Sequence, residues 1–174
     1  TGTYDSTPPI ISAIGTGALS WGAVLNATED DNNGTVTVTT SGAEDGQTVT
    51  ITLNGSTYTN TVDTNSTTVT ITAAALQALT DGQSYTLTAD VSDAAGNAAS
   101  QVTSASFAVD TTLPTVVSFN LDDTHLKTGE TATVTVVFSE PVSGFTSDDD
   151  ITAPNGVLGL MTSLDDITWT GTYT

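Results

Sequence analysis

The sequence contains no cysteine, one basic side chain and few aromatics, and each shortage excludes something. Without cysteine there is no disulfide, no thiolate zinc site and no cysteine nucleophile. This does not place the chain in the cytosol, since many bacterial surface proteins also do without cysteine. Lys127 is the only Lys or Arg, against 20 Asp and Glu, for a formal net charge of -19. Phosphate contacts need Lys and Arg, so nucleic acid is excluded as a partner, and anionic membrane surfaces with it. No apolar run approaches the roughly 18 residues that a span requires, so no membrane insertion is expected. No basic-then-apolar N-terminal signal is present either. The chain reads as soluble and as a piece of a longer one.

Catalytic constellations are also missing. His125 is the single imidazole; beside Lys127 in a loop, it reads as solvent-exposed. A serine triad would have to use that histidine, and no Gly-x-Ser-x-Gly elbow occurs. Carboxylate pairs could hydrolyse a glycoside, but Trp21 and Trp169 lie far apart in the chain and no aromatic-lined cleft is evident. Neither an enzyme nor a small-molecule substrate is expected.

What is present is strict alternation. Thr35 to Thr39, Thr48 to Leu53, Thr68 to Thr72, Tyr85 to Ala89 and Thr133 to Val136 set Thr against Val, Ile or Leu at every second position. Period two with β-branched residues predicts strands with one face buried and a Thr face in water. Turn signals stand between them at Asn33-Gly34, Asn54-Gly55, Asp81-Gly82 and Gly96-Asn97. Only Ala73 to Leu79 reads as helix, of one or two turns. Trp21 is expected to cap a core beneath the long first loop. Acidic excess usually marks disorder, but 37% hydrophobic residues and acids clustered between periodic runs do not fit that class. The fold class is all-β: antiparallel β-sandwiches with about seven strands per domain.

An internal repeat divides the chain. Asp5-Ser6-Thr7-Pro8-Pro9 before Ile10-Ile11-Ser12 returns one domain length later as Asp110-Thr111-Thr112-Leu113-Pro114 before Val116-Val117-Ser118. The expected domains are residues 1–109 and 110–174, the second incomplete, with its last strands beyond Thr174. On that expectation Val134, Val136 and Phe138 face water, and the run Ile167 to Tyr173 lacks a partner behind it. Tyr85, after Leu79-Thr80-Asp81-Gly82, looks like a tyrosine corner, which is a hallmark of immunoglobulin-like sandwiches.

The connector Val109 to Pro114, the segment Leu79 to Tyr85 and Ala89-Asp90-Val91-Ser92-Asp93-Ala94-Ala95-Gly96-Asn97 carry a family likeness. Thr128-Gly129-Glu130-Thr131-Ala132 and Phe138-Ser139-Glu140-Pro141-Val142 extend it as a variant repeat. The chain resembles the immunoglobulin-like repeats of giant calcium-dependent adhesins of the RTX type, carried on Gram-negative cell surfaces after type I secretion. The resemblance implies an extracellular extender module in a stalk, with neighbouring repeats of the same chain as partners. It also implies stiffening by calcium where domains join. The extenders of cold-adapted ice-binding adhesins are of this kind.

Sandwich topology then groups the acids. Asp5, Glu44, Asp45 and Asp93 are expected at the N-terminal end of the first domain, with Asp90 just below on the sixth strand. Glu29, Asp30, Asp31 and Asp81 are expected at the other end, approaching Asp110. Glu140 and Asp148 to Asp150 are expected to flank a loop of the second domain that faces the same junction. Calcium takes six to eight hard oxygens in flexible geometry, and clustered carboxylates without Lys or Arg otherwise repel one another. Several calcium ions are therefore the expected cofactor. The alternative, that acidic loops are simply solvated, stays open for each acid taken singly. No twelve-residue EF-hand loop and no glycine-rich nonapeptide repeat is present. A second function class also stays open: direct binding of glycan, protein or ice, the last through the Thr arrays.

Overall fold

In a computed structural model, residues 4–174 are described, so the first three residues of the expected first domain lie outside the described residues. The chain divides into two compact units, Thr1–Thr112 and Leu113–Thr174.

The first unit holds β1 (Ile10–Ile11), β2 (Val24–Asn26), β3 (Gly34–Ser41), β4 (Thr48–Leu53), β5 (Ser56–Thr61) and β6 (Ser66–Ile71), followed by the short helix α1 (Ala73–Gln77). After it come β7 (Ser84–Tyr85), β8 (Leu87–Asp90), β9 (Val102–Thr103) and β10 (Phe107–Asp110). The strands form sheets ordered β1-β3-β6, β5-β4-β8-β9 and β2-β10-β7. All pairings are antiparallel except β10 with β2. Alternation sorts the faces: Val36 and Val38 of β3 are buried while Thr37 and Thr39 between and beyond them are exposed. Val36, Val38, Val69 and Ile71 from β3 and β6 meet Val49, Ile51, Leu53, Leu87 and Ala89 from β4 and β8 in one buried cluster, which makes this unit a sandwich. Each of the Val, Ile and Leu side chains contributes about 1.5–3 kcal/mol by leaving water.

The turn signals resolve into two kinds. Asn54 and Gly55 both take positive φ, 48° and 79°, and form the tight hairpin between β4 and β5 that such a dipeptide favours. Asn33-Gly34 behaves differently. Gly34 opens β3 opposite Ile71, and a Cβ built on it would stand 2.5 Å from Trp21 Cζ3. Trp21 does not cap the core but belongs to it, edge-on to Phe107 with ring centroids 5.3 Å apart. Glycine is required here because the indole occupies the space of a side chain. Asn33 Oδ1 meanwhile accepts from the Ala73 N–H at 3.0 Å, satisfying a donor at the start of α1. The tyrosine corner is present: Tyr85 Oη accepts from the Thr80 N–H at 3.0 Å.

The second unit holds β11 (Val116–Leu121), β12 (Ala132–Phe138), α2 (Ser147–Asp150), β13 (Thr162–Ser163) and β14 (Thr168–Tyr173), in a sheet ordered β11-β12-β14-β13. Two expectations are corrected here. Val134 and Val136 do not face water; they are buried with Met161, and Phe145, Ile151 and Leu158 pack against them. Phe138 is only partly buried, joined edge-on to Phe145 at 5.2 Å, as Phe145 is to Trp169. Nor is the 167 to 173 run unpaired on one side, because β13 pairs with β14. The physical reason is the same for both: the 145–161 segment supplies apolar side chains to the sheet and then leads into β13. Exposure falls instead on Val116, Val117 and Phe119 of β11, beside an open apolar groove of about 670 Å³.

Gly34→Ala should destabilise the first unit by about 1–3 kcal/mol, the usual cost of overpacking. Gly17→Ala, where a Cβ meets nothing within 4 Å, is the matched control. Urea midpoints of the two variants provide the measurement. Equal midpoints would show that the Trp21 ring yields at no cost.

Candidate functional site

The first acidic end is organised by the 93–97 loop. Gly96 takes φ 90°, a conformation that glycine adopts without strain, and this lets the chain turn back on Asp93. Asp93 Oδ1 accepts the Asn97 N–H at 2.7 Å, and Asp93 Oδ2 accepts from Asn97 Nδ2 at 2.8 Å. Asn97 Nδ2 also donates to the main-chain carbonyl of Asp5 at 3.2 Å, and the Ala94 N–H donates to Glu44 Oε2 at 2.9 Å. One loop thus holds Asp5, Glu44 and Asp93 together. Asp45 turns elsewhere and accepts the Thr64 N–H at 2.8 Å. Asp90 accepts both contacts from the Gln101 amide, at 2.9 and 3.1 Å. Asp93 is buried, yet the Asn97 side-chain bond holds its carboxyl below the ordinary Asp value against the opposing effect of burial.

At the other end, Asn26 and Glu29 cap each other: Asn26 Oδ1 accepts the Glu29 N–H and Glu29 Oε2 accepts the Asn26 N–H, both at 3.1 Å. Asn26 is the register partner of Asp110 on the exit strand, which places Glu29 beside that strand's end. Asp31 accepts from Gln77 Nε2 at 2.9 Å, Asp30 is half-buried, and the side chain of Asp110 is exposed. Asp81 accepts the Thr111 N–H at 2.7 Å with one oxygen and the Thr112 hydroxyl at 2.6 Å with the other. The Thr112 bond, then the Thr111 bond, hold its carboxyl below the ordinary value.

In the second unit, Glu140 Oε1 is buried without a hydrogen-bond partner, and Asp148 is exposed on α2. Asp150 closes its own turn by accepting the Thr146 N–H at 2.8 Å. Asp122 and Asp165 also accept main-chain N–H groups, from Thr133 at 2.6 Å and from Thr168 at 2.8 Å.

Among the described residues, no three His, Cys, Asp or Glu side chains gather closely enough to hold a metal ion by themselves. The donor chemistry nonetheless suits calcium. Around the 93–97 loop every potential ligand is a hard oxygen, and calcium also accepts carbonyls, amides and water. Sequence reasoning missed Asn97 as the residue that joins Asp93 to Asp5, and Thr111 and Thr112 as the partners of Asp81. The signal for the first was available, since an Asp and an Asn four residues apart across a glycine predict a side-chain-to-backbone turn.

These shifts link the stability of the fold to pH. Asp81, Asp93, Asp122 and Asp165 all lie below the ordinary value, so the stability they contribute is complete above about pH 4 and disappears as pH falls through their lowered values. Asp93→Asn should lower the melting temperature at neutral pH and flatten the loss below pH 4. A variant that keeps the wild-type slope would remove Asp93 from that account.

Comparison with known proteins places this geometry. Two family models, both described as bacterial Ig-like domain, match residues 22–111 and 110–174. No curated protein matches the chain. Among solved structures, a bacterial immunoglobulin-like domain from the M. primoryensis ice-binding adhesin is 32% identical, covering 59% of this chain and 95% of that one, with TM-score 0.41. A structure concerned with host cell surface retention of a 1.5-MDa bacterial ice-binding adhesin is 20% identical over 94% of this chain, with TM-score 0.57. A Ca2+-stabilized adhesin that helps an Antarctic bacterium reach out and bind ice is 24% identical over 94% of this chain, with TM-score 0.47. The chain spans 52% and 40% of the length of the last two. It belongs to the bacterial Ig-like domain family.

Proposed function

We propose that the chain is a non-enzymatic extender of a bacterial surface adhesin, an extracellular stalk segment whose acidic loops bind calcium. The observation that carries this reading is the charge imbalance: 20 carboxylates and one Lys in a chain that folds into tandem β-rich units. Self-repulsion on that scale opposes the compact state, and a cation bound only by the fold relieves it. Its partners are neighbouring Ig-like repeats of the same chain. At the 93–97 end, Glu44, Asp93, the Asp5 carbonyl and the Asn97 amide oxygen are the ligands available. At the exit end they are Glu29, Asp30 and Asp110. Calcium there supplies the countercharge that the sequence lacks and stiffens the loops at the root of the connector. Glu140 and Asp148 are the corresponding candidates on the second unit.

A second reading has one observation in its favour. Register sets Thr50 beside Thr59 and Thr52 between Thr57 and Thr88, a hydroxyl array across β5, β4 and β8. Such an array is a surface for direct recognition of ice or glycan, although sheet twist spoils its regularity. Thermal hysteresis activity in the purified chain would favour it over the extender.

Calcium at about a hundred times its dissociation constant should stabilise the fold by about 2.7 kcal/mol. The melting temperature is measured in calcium, in magnesium and in chelator, with sodium chloride matching ionic strength so that screening is subtracted. Magnesium should substitute poorly, because it resists loose carboxylate sites. Asp110→Ala should weaken calcium binding in calorimetry while leaving the melting temperature in chelator unchanged. Identical melting in calcium and in ionic-strength-matched chelator would end the metal reading.

A further inference from the structure

We propose that Asp81 and the turn it begins are a metal-independent brace that fixes the direction in which the chain leaves the first unit. The observation is a run of hydrogen bonds between one turn and three residues of the exit segment, Val109, Thr111 and Thr112. The Gly82 N–H donates to the Val109 carbonyl at 2.9 Å, and the Val109 N–H donates to the Gln83 carbonyl at 2.8 Å. Asp81 then holds the two residues beyond Asp110, accepting the Thr111 N–H with Oδ1 and the Thr112 hydroxyl with Oδ2. On its other side Asp110 is held in register with Asn26 of β2. The exit strand is therefore gripped from both flanks, and the grip runs past the last strand residue, Asp110, into the connector.

The neighbouring sequence makes this grip consequential. Leu113 precedes Pro114, which keeps Leu113 out of the helical region and fixes the proline φ. Between the Asp81 clamp and this stiff dipeptide almost no free backbone remains. Gly82 serves the clamp directly: with φ 74° it turns the chain where the Asp81 carboxylate and the Gly82 N–H both reach the exit segment. Bonds from donors to an ionised carboxylate are shorter and stronger than neutral ones, which suits a tie that must hold in water.

The brace makes a prediction that a calcium site does not. A carboxylate whose role is to bind metal contributes nothing to connector order in chelator; one that braces the connector contributes there in full. All measurements are therefore made in chelator, so the failure of calcium to bind would leave the result intact.

The test uses the whole chain, whose lack of native cysteine permits spin labels at Thr59→Cys and Thr170→Cys, both exposed. Electron–electron resonance reads the distance distribution, and NMR hydrogen exchange reads single amides. In Asp81→Ala the Thr111 amide should exchange about tenfold or more faster, the effect of losing one charge-assisted bond. The distance distribution should broaden relative to wild type, and Thr112→Val should broaden it by less. The Gly82 amide, bonded to Val109 and not to Asp81, should stay protected. If Gly82 also loses protection, Asp81→Ala has melted the turn, and Thr112→Val, which touches only the connector, decides the matter. An unchanged distribution in Asp81→Ala with the turn intact overturns the brace. So does a wild-type distribution in chelator already as broad as the variant's, or an unchanged distribution in Thr112→Val where that variant decides.

Discussion

Charge without countercharge is the constraint on which the rest of this structure depends. Twenty carboxylates and one lysine cannot be neutralised in pairs, so the fold holds its acids with N–H donors instead. Asp5 takes the Thr7 N–H, Glu44 that of Ala94, Asp45 that of Thr64, Asp81 that of Thr111, Asp93 that of Asn97, Asp122 that of Thr133 and Asp165 that of Thr168. Each bond satisfies a main-chain donor, and those to Asp81, Asp93, Asp122 and Asp165 also favour the ionised acid. The acids are thus structural elements of the loops before they are anything else.

The same constraint explains the composition of the sheets. Outward positions need polarity, and an acidic side chain there would add to a field already negative. Threonine is polar, neutral and β-branched, so it suits an extended backbone and adds no charge. On β3 and β6 the opposed outward pairs are Thr35 with Thr70, Thr37 with Thr68 and Thr39 with Ser66. Charge is left to the loops, where carboxylates find N–H groups and where cations can reach them.

That division also decides what was legible in the sequence. The strands β3, β4, β6 and β12 follow from period-two alternation, because burial on one face leaves no other arrangement for Val and Ile. The corner at Tyr85 was legible from a local pattern. Features that depend on contacts distant in sequence were not. Gly34 carries a turn signature, but its absent Cβ answers to Trp21. The burial of Val134 and Val136 depends on side chains from 145 to 161, a segment with no periodicity to announce it. Among the acids, grouping by loop end brought Asp5, Glu44 and Asp93 to one place, yet topology could not show that Asp45 bonds to Thr64 or Asp90 to Gln101.

Hydrogen bonding to N–H groups and binding of a cation are compatible uses of one carboxylate. An ionised carboxyl offers about four lone-pair sites on two oxygens, and most of the acids described here accept only one or two bonds. Glu44 is bonded through Oε2 to Ala94, which leaves its other oxygen available. Asp110, exposed at the end of the exit strand, has its whole carboxylate available for a cation. Asp81 differs, since each of its oxygens holds a separate residue of the connector. The loops are ordered by their own donors, so a cation bound as proposed would meet a preformed arrangement. Binding to a preformed site costs less ordering entropy than assembling one, which is why the proposed calcium sites need not be built from carboxylates alone.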